Sequence, residues 1–454
     1  MGCDVAVVGA GLSGLAAAEQ LGASGHRVVV LEASGRLGGK VWTTHHEGTE
    51  LDLGAHWVGP GQDEILALGS RFGLRRHRHP RPSLRSHDVV VDGDDVHAAL
   101  WGMPVRGGLG LLDSARGLAK LELYARARRV PAWITPQTSA EELMHSLFRS
   151  DFGRRAGEAS IGLLAGVTPA EFTAGQFLDY VRAAGSVFKL LTFAGGAQDS
   201  YFEQGAGAIA DGLAEAFTGT IHTDAPVTEI RDTGTNVEVI AGDRVVECRR
   251  VVVAAPPPQV ADIAFTPTLD DYRARLYAGA HMGRYTKIAV IYRTPWWRDR
   301  RRTGTVIVNA GSEIQMIVDA TPHRAEHAAL AAFSTGRGAD LLAARDEADR
   351  AAVVVDAIES ALGPAPEAPE LVREQAWASE PHLRGAPAAV FAENPDLERL
   401  RRNHGRVHWA GTDLALAWRG YMDGAVGAGR AAADEVAEAL RTDARHTAES
   451  SRPA

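Results

Sequence analysis

A chain of 454 residues with 45% hydrophobic and 23% charged residues has the composition of a globular protein, and its length suggests two or three domains. Its net charge of −9 gives no electrostatic case for nucleic acid as a partner. Two cysteines, Cys3 and Cys248, make neither a disulfide framework nor a metal set, and no apolar run reaches the ~18 residues that span a bilayer. No metal and no membrane partner is therefore expected.

The first strand is expected from about Asp4, which leaves no secretory leader and points to a cytoplasmic protein. Residues 4–40 read DVAVVGAGLSGLAAAEQLGASGHRVVVLEASGRLGGK. A short apolar run, a glycine-rich turn, an alanine-rich helix and a second apolar run ending in Glu32 form a βαβ unit for a dinucleotide. Gly9 permits the tight turn, Gly11 lets the backbone approach a pyrophosphate, and Gly14 lets the helix pack close to the strand. The helix N-terminus offers N–H groups and the positive dipole end to phosphate. Glu32 follows Gly14 by 18 residues, where a carboxylate accepts hydrogen bonds from ribose hydroxyls.

Residues 74–87, LRRHRHPRPSLRSH, alternate His77 and His79 with Arg and carry the helix breakers Pro80 and Pro82. They read as a solvated crossover between domains rather than a metal site. Residues 110–195 read as mostly helical, with a capping box at Ser139 and Glu142. GAGAIADGLAEAF reads as a helix, and residues 221–257 as consecutive strands closed by prolines. From Thr286 a second set of strands follows, with Trp296 and Trp297 at a sheet edge or domain seam. Arg298, Arg300, Arg301 and Arg302 read as a solvated loop. Residues 338–362 return to helix, and a strand, a loop and a long helix end the chain. Lys287 stands in an otherwise apolar strand; it is either buried with a partner or exposed by alternation.

Four segments carry a resemblance. Glu32-Ala-Ser-Gly-Arg36-Leu-Gly38-Gly39 extends the dinucleotide motif, and LDLGAHWVGP at 51–60 forms a second loop. HWAGTDLALAWRGYMDGAVGAG at 408–429 ends the chain's motif set, and Lys287 lies in RYTKIAVIYRTPWW. Together they resemble the flavin monoamine oxidase family of bacterial type. The resemblance implies an α/β fold: an FAD-binding Rossmann-like domain with a discontinuous α+β substrate-binding domain. The expected FAD domain covers 1–78, 204–284 and 395–440; the substrate domain covers 79–203 and 285–394, and 441–454 form a disordered polar tail.

The resemblance implies FAD held by Gly9, Gly11, Gly14, Glu32, Arg36, Gly38, Gly39, Gly54, Ala55, Trp57, Val227, Trp377, Gly411, Asp413, Tyr421, Met422 and Ala425. Arg36 suits a pyrophosphate, and the helix starting near Met422 would turn its N–H groups toward the flavin and favour its reduced anion. Asp413 replaces the family's usual Glu. Lys287 matches the residue that holds a water against flavin N5. Ala386 stands where covalent members carry Cys, so the FAD is expected to be non-covalent. His56, Pro387, Trp418 and Tyr421 are the substrate-facing candidates. Tyr421 forms one wall of an amine cage, and Pro387 stands where the other aromatic wall is common. His56 either contacts substrate or solvent or is a satisfied structural histidine.

The expected reaction is oxidation of an amine C–N bond to an imine, with hydride transfer to flavin N5, hydrolysis to a carbonyl, and reduction of O2 to H2O2. The partners are a small amine and O2; a homodimer is compatible with the sequence and not fixed by it. A dehydrogenase or desaturase on the same scaffold, or a flavin-binding protein without turnover, are the alternatives.

Overall fold

The computed structural model describes residues 2–450 apart from 80, 81, 84, 85, 94, 101, 102, 105–107, 128, 129, 310, 311 and 324. Pro80 thus lies outside the described residues. The chain divides into two compact units, the first of 1–41, 207–280 and 395–454, the second of 42–206 and 281–394.

In the first unit, the four-residue strand Val5–Val8 is fully buried and pairs in parallel with Val28–Leu31 on one side and Arg250–Val253 on the other. Thr220–His222 and Val407–Trp409 complete a five-stranded parallel sheet at its two edges. Uninterrupted Val runs in these strands fit a sheet covered on both faces. The helix Leu12–Ala23 packs against the final helix, where a Cβ on Gly429 would lie 2.1 Å from Ser13 O. A second sheet, of strands Arg244–Cys248, Val237–Ala241, Glu229–Asp232 and Ala264–Thr266, matches the strand-and-turn pattern of this region. The last helix runs Met422–Ser450, so the expected tail is helical to 450; residues 451–454 lie outside the described ones. Its alanine-rich sequence favours helix well past the apolar stripe.

The second unit is built on an eight-stranded sheet in which Tyr285–Tyr292 is flanked by Leu371–Ala376 and Ala328–Thr335. His87–Asp92 joins it in parallel with Arg302–Asn309. Helices Gly108–Arg126, Ala140–Leu147, Asp151–Ala165, Ala174–Ala184 and Val187–Leu191 fill the expected helical region, and the capping box at Ser139 and Glu142 forms.

Four expectations need correction here. Residues 42–78 belong to the second unit, because Trp57–Val58 and Arg76–Arg78 both pair with Ser200–Phe202, and Leu51 and Leu53 pack on Ala289, Ile291 and Ala329. Residues 76–78 are therefore a strand rather than a crossover; Arg76 and Arg78 stay exposed, as expected, while His79 is buried. Trp296 and Trp297 pack inside the sheet's core against Tyr292, not at an edge. The basic run that follows is not a free loop: Arg298 Nε and Trp297 Nε1 both donate to buried Asp319 Oδ2, at 2.8 and 2.9 Å, and Arg300 covers the Trp296 ring.

Gly14 gives the sharpest test of the first unit. An alanine in a helix ordinarily gains about 1 kcal/mol over glycine. Here the added Cβ would lie 1.9 Å from the Gly9 carbonyl oxygen, so the sign reverses. Gly14→Ala is expected to lower unfolding stability by about 1–3 kcal/mol in a urea titration of the apoprotein. A variant as stable as the parent would contradict this packing.

Candidate active site

The first unit offers a cradle made largely of backbone. Gly9 has φ +99°, a conformation that favours glycine, and its turn opens the helix Leu12–Ala23 at Gly11. Glu32 closes the second strand and is buried. One of its carboxylate oxygens accepts from Ala10 N at 2.6 Å; the other accepts from Ser34 N and Ser34 Oγ, both at 2.8 Å. Gly38 N donates to Ala10 O at 2.9 Å, and Arg36 Nη1 reaches Leu37 O and Val41 O at 3.4 Å. Gly39, also at positive φ, approaches Gly11 closely.

The C-terminal segment joins the same cradle. Gly411 N donates to Ser13 Oγ at 2.8 Å, and Asp413 lies 3.9 Å from Lys40 Nζ. Thr412 Oγ1 accepts from Gly420 N and donates to Tyr421 O, tying the loop to the start of the last helix at Met422. Trp418 adopts φ +50°, an unusual value for a bulky residue, and its ring stands edge-on to Tyr421 at 5.4 Å. A Cβ on Gly424 would lie 2.2 Å from Trp418 O, and Ala425 N closes the first helical bond to Tyr421 O. Val227 is half-buried just ahead of the strand Glu229–Asp232.

Two of these glycines present bare backbone. A Cβ on Gly411 would meet no heavy atom within 4 Å, and one on Gly11 none nearer than 3.8 Å. Open backbone at a helix N-terminus, beside an acid that ends the next strand, fits the pyrophosphate and ribose of a dinucleotide.

The second unit holds a different cluster. Lys287 is 3% exposed, which excludes the solvent-facing alternative. Its Nζ donates to Gly54 O at 3.1 Å and lies 5.4 Å from the Phe333 ring centroid and 6.0 Å from that of Trp57. Burial pushes its pKa down to about 8, with the charge of Asp52 acting in the opposite direction. Asp52 is the residue that motif reading passed over. Its Oδ1 accepts from Thr43 Oγ1 and from Ala206 N, and its Oδ2 pairs with His56 Nδ1 at 2.6 Å. Burial works to raise the Asp52 pKa, but the hydrogen bond and charge of His56, then Lys287 and Thr43, hold it below its ordinary value.

His56 is stacked on Tyr201 at 5.2 Å and 15°. Burial lowers its pKa against the raising effect of Asp52, which leaves a neutral ring near pH 7. Trp57 Nε1 donates to His79 Nε2, and burial pushes the His79 pKa down to about 3. His77 stacks on His323 at 4.1 Å, and no metal-binding group exists among the described residues. Trp377 is buried and donates to Leu53 O at 3.1 Å. Ala386, just before Pro387, is buried and bonded through its N–H to Gly283 O. A small signal for Asp52 was in the sequence: an acid at the end of a strand, four residues before His56.

The model for flavin containing amine oxidoreductases matches residues 12–437. The chain belongs to this family. The chain is similar to amine oxidase [flavin-containing] B of Sus scrofa, 30% identical over 96% of this chain and 86% of that protein. The putative flavin-containing monoamine oxidase AofH of Mycobacterium tuberculosis is also 30% identical, over 96% of this chain and 97% of its own. Among solved structures, putrescine oxidase bound to putrescine superposes with a TM-score of 0.89 at 27% identity, covering 96% of this chain and 99% of that one. Cyclohexylamine oxidase from Brevibacterium oxydans IH-35A gives 0.91 at 27% identity, covering 97% and 99%. The protein is a flavin-dependent amine oxidoreductase and its cofactor is FAD. Among the described residues no helix is long and apolar enough to cross a membrane.

Glu32→Ala is expected to weaken FAD binding by about 1–3 kcal/mol, because a charge-assisted anchor of the glycine turn is lost. Fluorescence titration of the apoprotein with FAD measures it; an unchanged affinity would contradict the assignment of this cradle to the dinucleotide.

Proposed function

We propose that this protein oxidises amines that carry no neighbouring carboxylate, passes the electrons to O2, and forms H2O2 and an imine that hydrolyses to a carbonyl. The carrying observation is the second loop. Gly54-Ala55-His56-Trp57 contains no Arg, and the cation adjoining it, Lys287, is enclosed by Trp57, Phe333 and the Gly54 carbonyl. A substrate carboxylate buried here without a guanidinium partner would cost on the order of several kcal/mol. The solved relatives named for putrescine and cyclohexylamine support the same reading.

We assign the site roles as follows. Gly9, Gly11, Gly14, Glu32, Arg36, Gly38, Gly39, Gly411, Asp413 and the helix start at Met422 hold FAD. Bound there, FAD supplies the two-electron acceptor. It is held without a covalent link, since Ala386 stands in place of a cysteine. Tyr421 and Trp418 offer aromatic surface to the amine, which desolvates it and fixes its orientation. No side-chain base is needed for an amine that enters unprotonated. Lys287 serves the oxygen half of the cycle.

Two measurements test this reading. Under anaerobic conditions, primary amines should bleach the flavin faster than the L-amino acids from which they derive by decarboxylation. The reverse order would overturn the substrate class. In stopped flow, Lys287→Met should slow flavin reoxidation by O2 more than anaerobic reduction. An unchanged reoxidation rate would make Lys287 a structural residue.

A further inference from the structure

Asp52, His56 and Lys287 share the wall of one small cavity in the second unit. Its volume is about 20 Å3, room for about one water, and Tyr201, Glu203 and Ala331 also line it. His56 is 92% buried, from an exposure of 8%, yet its Nε2 has no hydrogen-bond partner among the protein atoms. An orphaned ring nitrogen in a fully packed region is costly, and it asks for a ligand. Every other constraint on the ring is met. Asp52 Oδ2 takes Nδ1, and Tyr201 stacks on one face. Asp52 itself is fixed by Thr43 and by Ala206 N, so it cannot swing away from the ring.

We propose that Asp52 is a positioning residue. It holds His56 as the Nδ1–H tautomer, so that Nε2 accepts from a water in this cavity that Lys287 also binds, and it is the counter-charge that keeps Lys287 protonated. The water then has a donor in the Lys287 ammonium and an acceptor in His56 Nε2. An ionised carboxylate bonded to Nδ1–H is a strong pair and makes the other nitrogen a better acceptor. A neutral ring adds no second positive charge beside the ammonium.

The other groups around this cluster do not substitute for Asp52. Glu50 is held above its ordinary pKa by burial, and Glu203 is engaged by Arg75. Burial keeps His79 neutral and the Tyr201 phenol protonated near neutral pH. The residues in register with Lys287 on the flanking strands, Phe333 and Gln375, carry no charge.

This inference rests on the assignment of Lys287 to flavin reoxidation, but its first test does not depend on turnover. In holoenzyme carrying 15N-histidine, long-range proton–nitrogen correlation reads the His56 tautomer, with the signal assigned by its loss in His56→Gln. The expected pattern is a neutral ring protonated at Nδ1 at neutral pH and above. Asp52→Asn should lose that pattern and Asp52→Glu should restore it. A charged ring, or one protonated at Nε2 in the parent enzyme, would overturn the proposal even if Asp52→Asn fails to fold.

The second readout is the pH profile of flavin reoxidation. In the parent it should fall as Lys287 loses its proton around pH 8. In Asp52→Asn the midpoint should move down by about one unit or more, because the opposing charge is gone. A midpoint that stays in place would overturn the counter-charge role. The correct tautomer in a protein that no amine reduces would sink the amine-oxidase reading alone. Rapid amine turnover with the wrong tautomer would sink only the role of Asp52.

Discussion

The constraint on which the second unit turns is the burial of one ammonium group on an inner strand of its sheet. Lys287 occupies the third position of an eight-residue strand whose remaining members are apolar, aromatic or threonine. A buried cation of this kind is expensive unless its surroundings are built for it. The chain answers with a carbonyl at Gly54, two aromatic faces and the Asp52 carboxylate. All but Phe333 come from residues 52–57. That is why the short hairpin Thr43–His46 with Thr49–Asp52 and the turn after it belong with the sheet rather than with the glycine cradle. Leu51 and Leu53 pin the same segment by packing on Ala289, Ile291 and Ala329, on the face of the strand that carries Lys287, so a polar requirement and an apolar one are met by alternate residues of 51–54.

The first unit solves its problem with backbone. Its glycines bring the strand end, the helix start, the 36–39 turn and the C-terminal loop together at hydrogen-bond distance, as in Gly38 with Ala10 and Gly411 with Ser13. Glu32 spans two of these segments, through Ala10 and Ser34. A binding surface of this kind places N–H groups and a helix dipole beside a few charged side chains, Glu32 among them.

The glycine cradle was legible in the sequence because its determinants are close in the chain. A tight turn, a helix start and a second strand fall within residues 4–40, and each glycine has a local geometric reason. Lys287 was legible as an oddity, a charge in an apolar strand. Its counter-charge was not, since Asp52 and Lys287 are far apart in sequence and nothing in either segment names the other. The same holds for His79. Its neighbours are Arg and Pro, and only the pairing of Arg76–Arg78 with Ser200–Phe202 makes its environment dry. His87–Asp92 joins a sheet whose partner strand begins at Arg302, so its role required the long-range register. Trp296 and Trp297 looked like edge residues for a similar reason. The helix Trp296–Asp299 carries them back into the core, and Asp319 fixes the Trp297 indole and the Arg298 guanidinium there.

The proposed activity couples oxidation of a free amine to reduction of O2. The most direct measurement mixes the purified FAD-loaded protein with a panel of amines in air-saturated buffer and follows oxygen uptake and peroxide together. At least one amine is expected to give equal rates of O2 loss and H2O2 formation. Flavin that is bleached by amines but not reoxidised by O2 would contradict it, as would flavin that no amine bleaches.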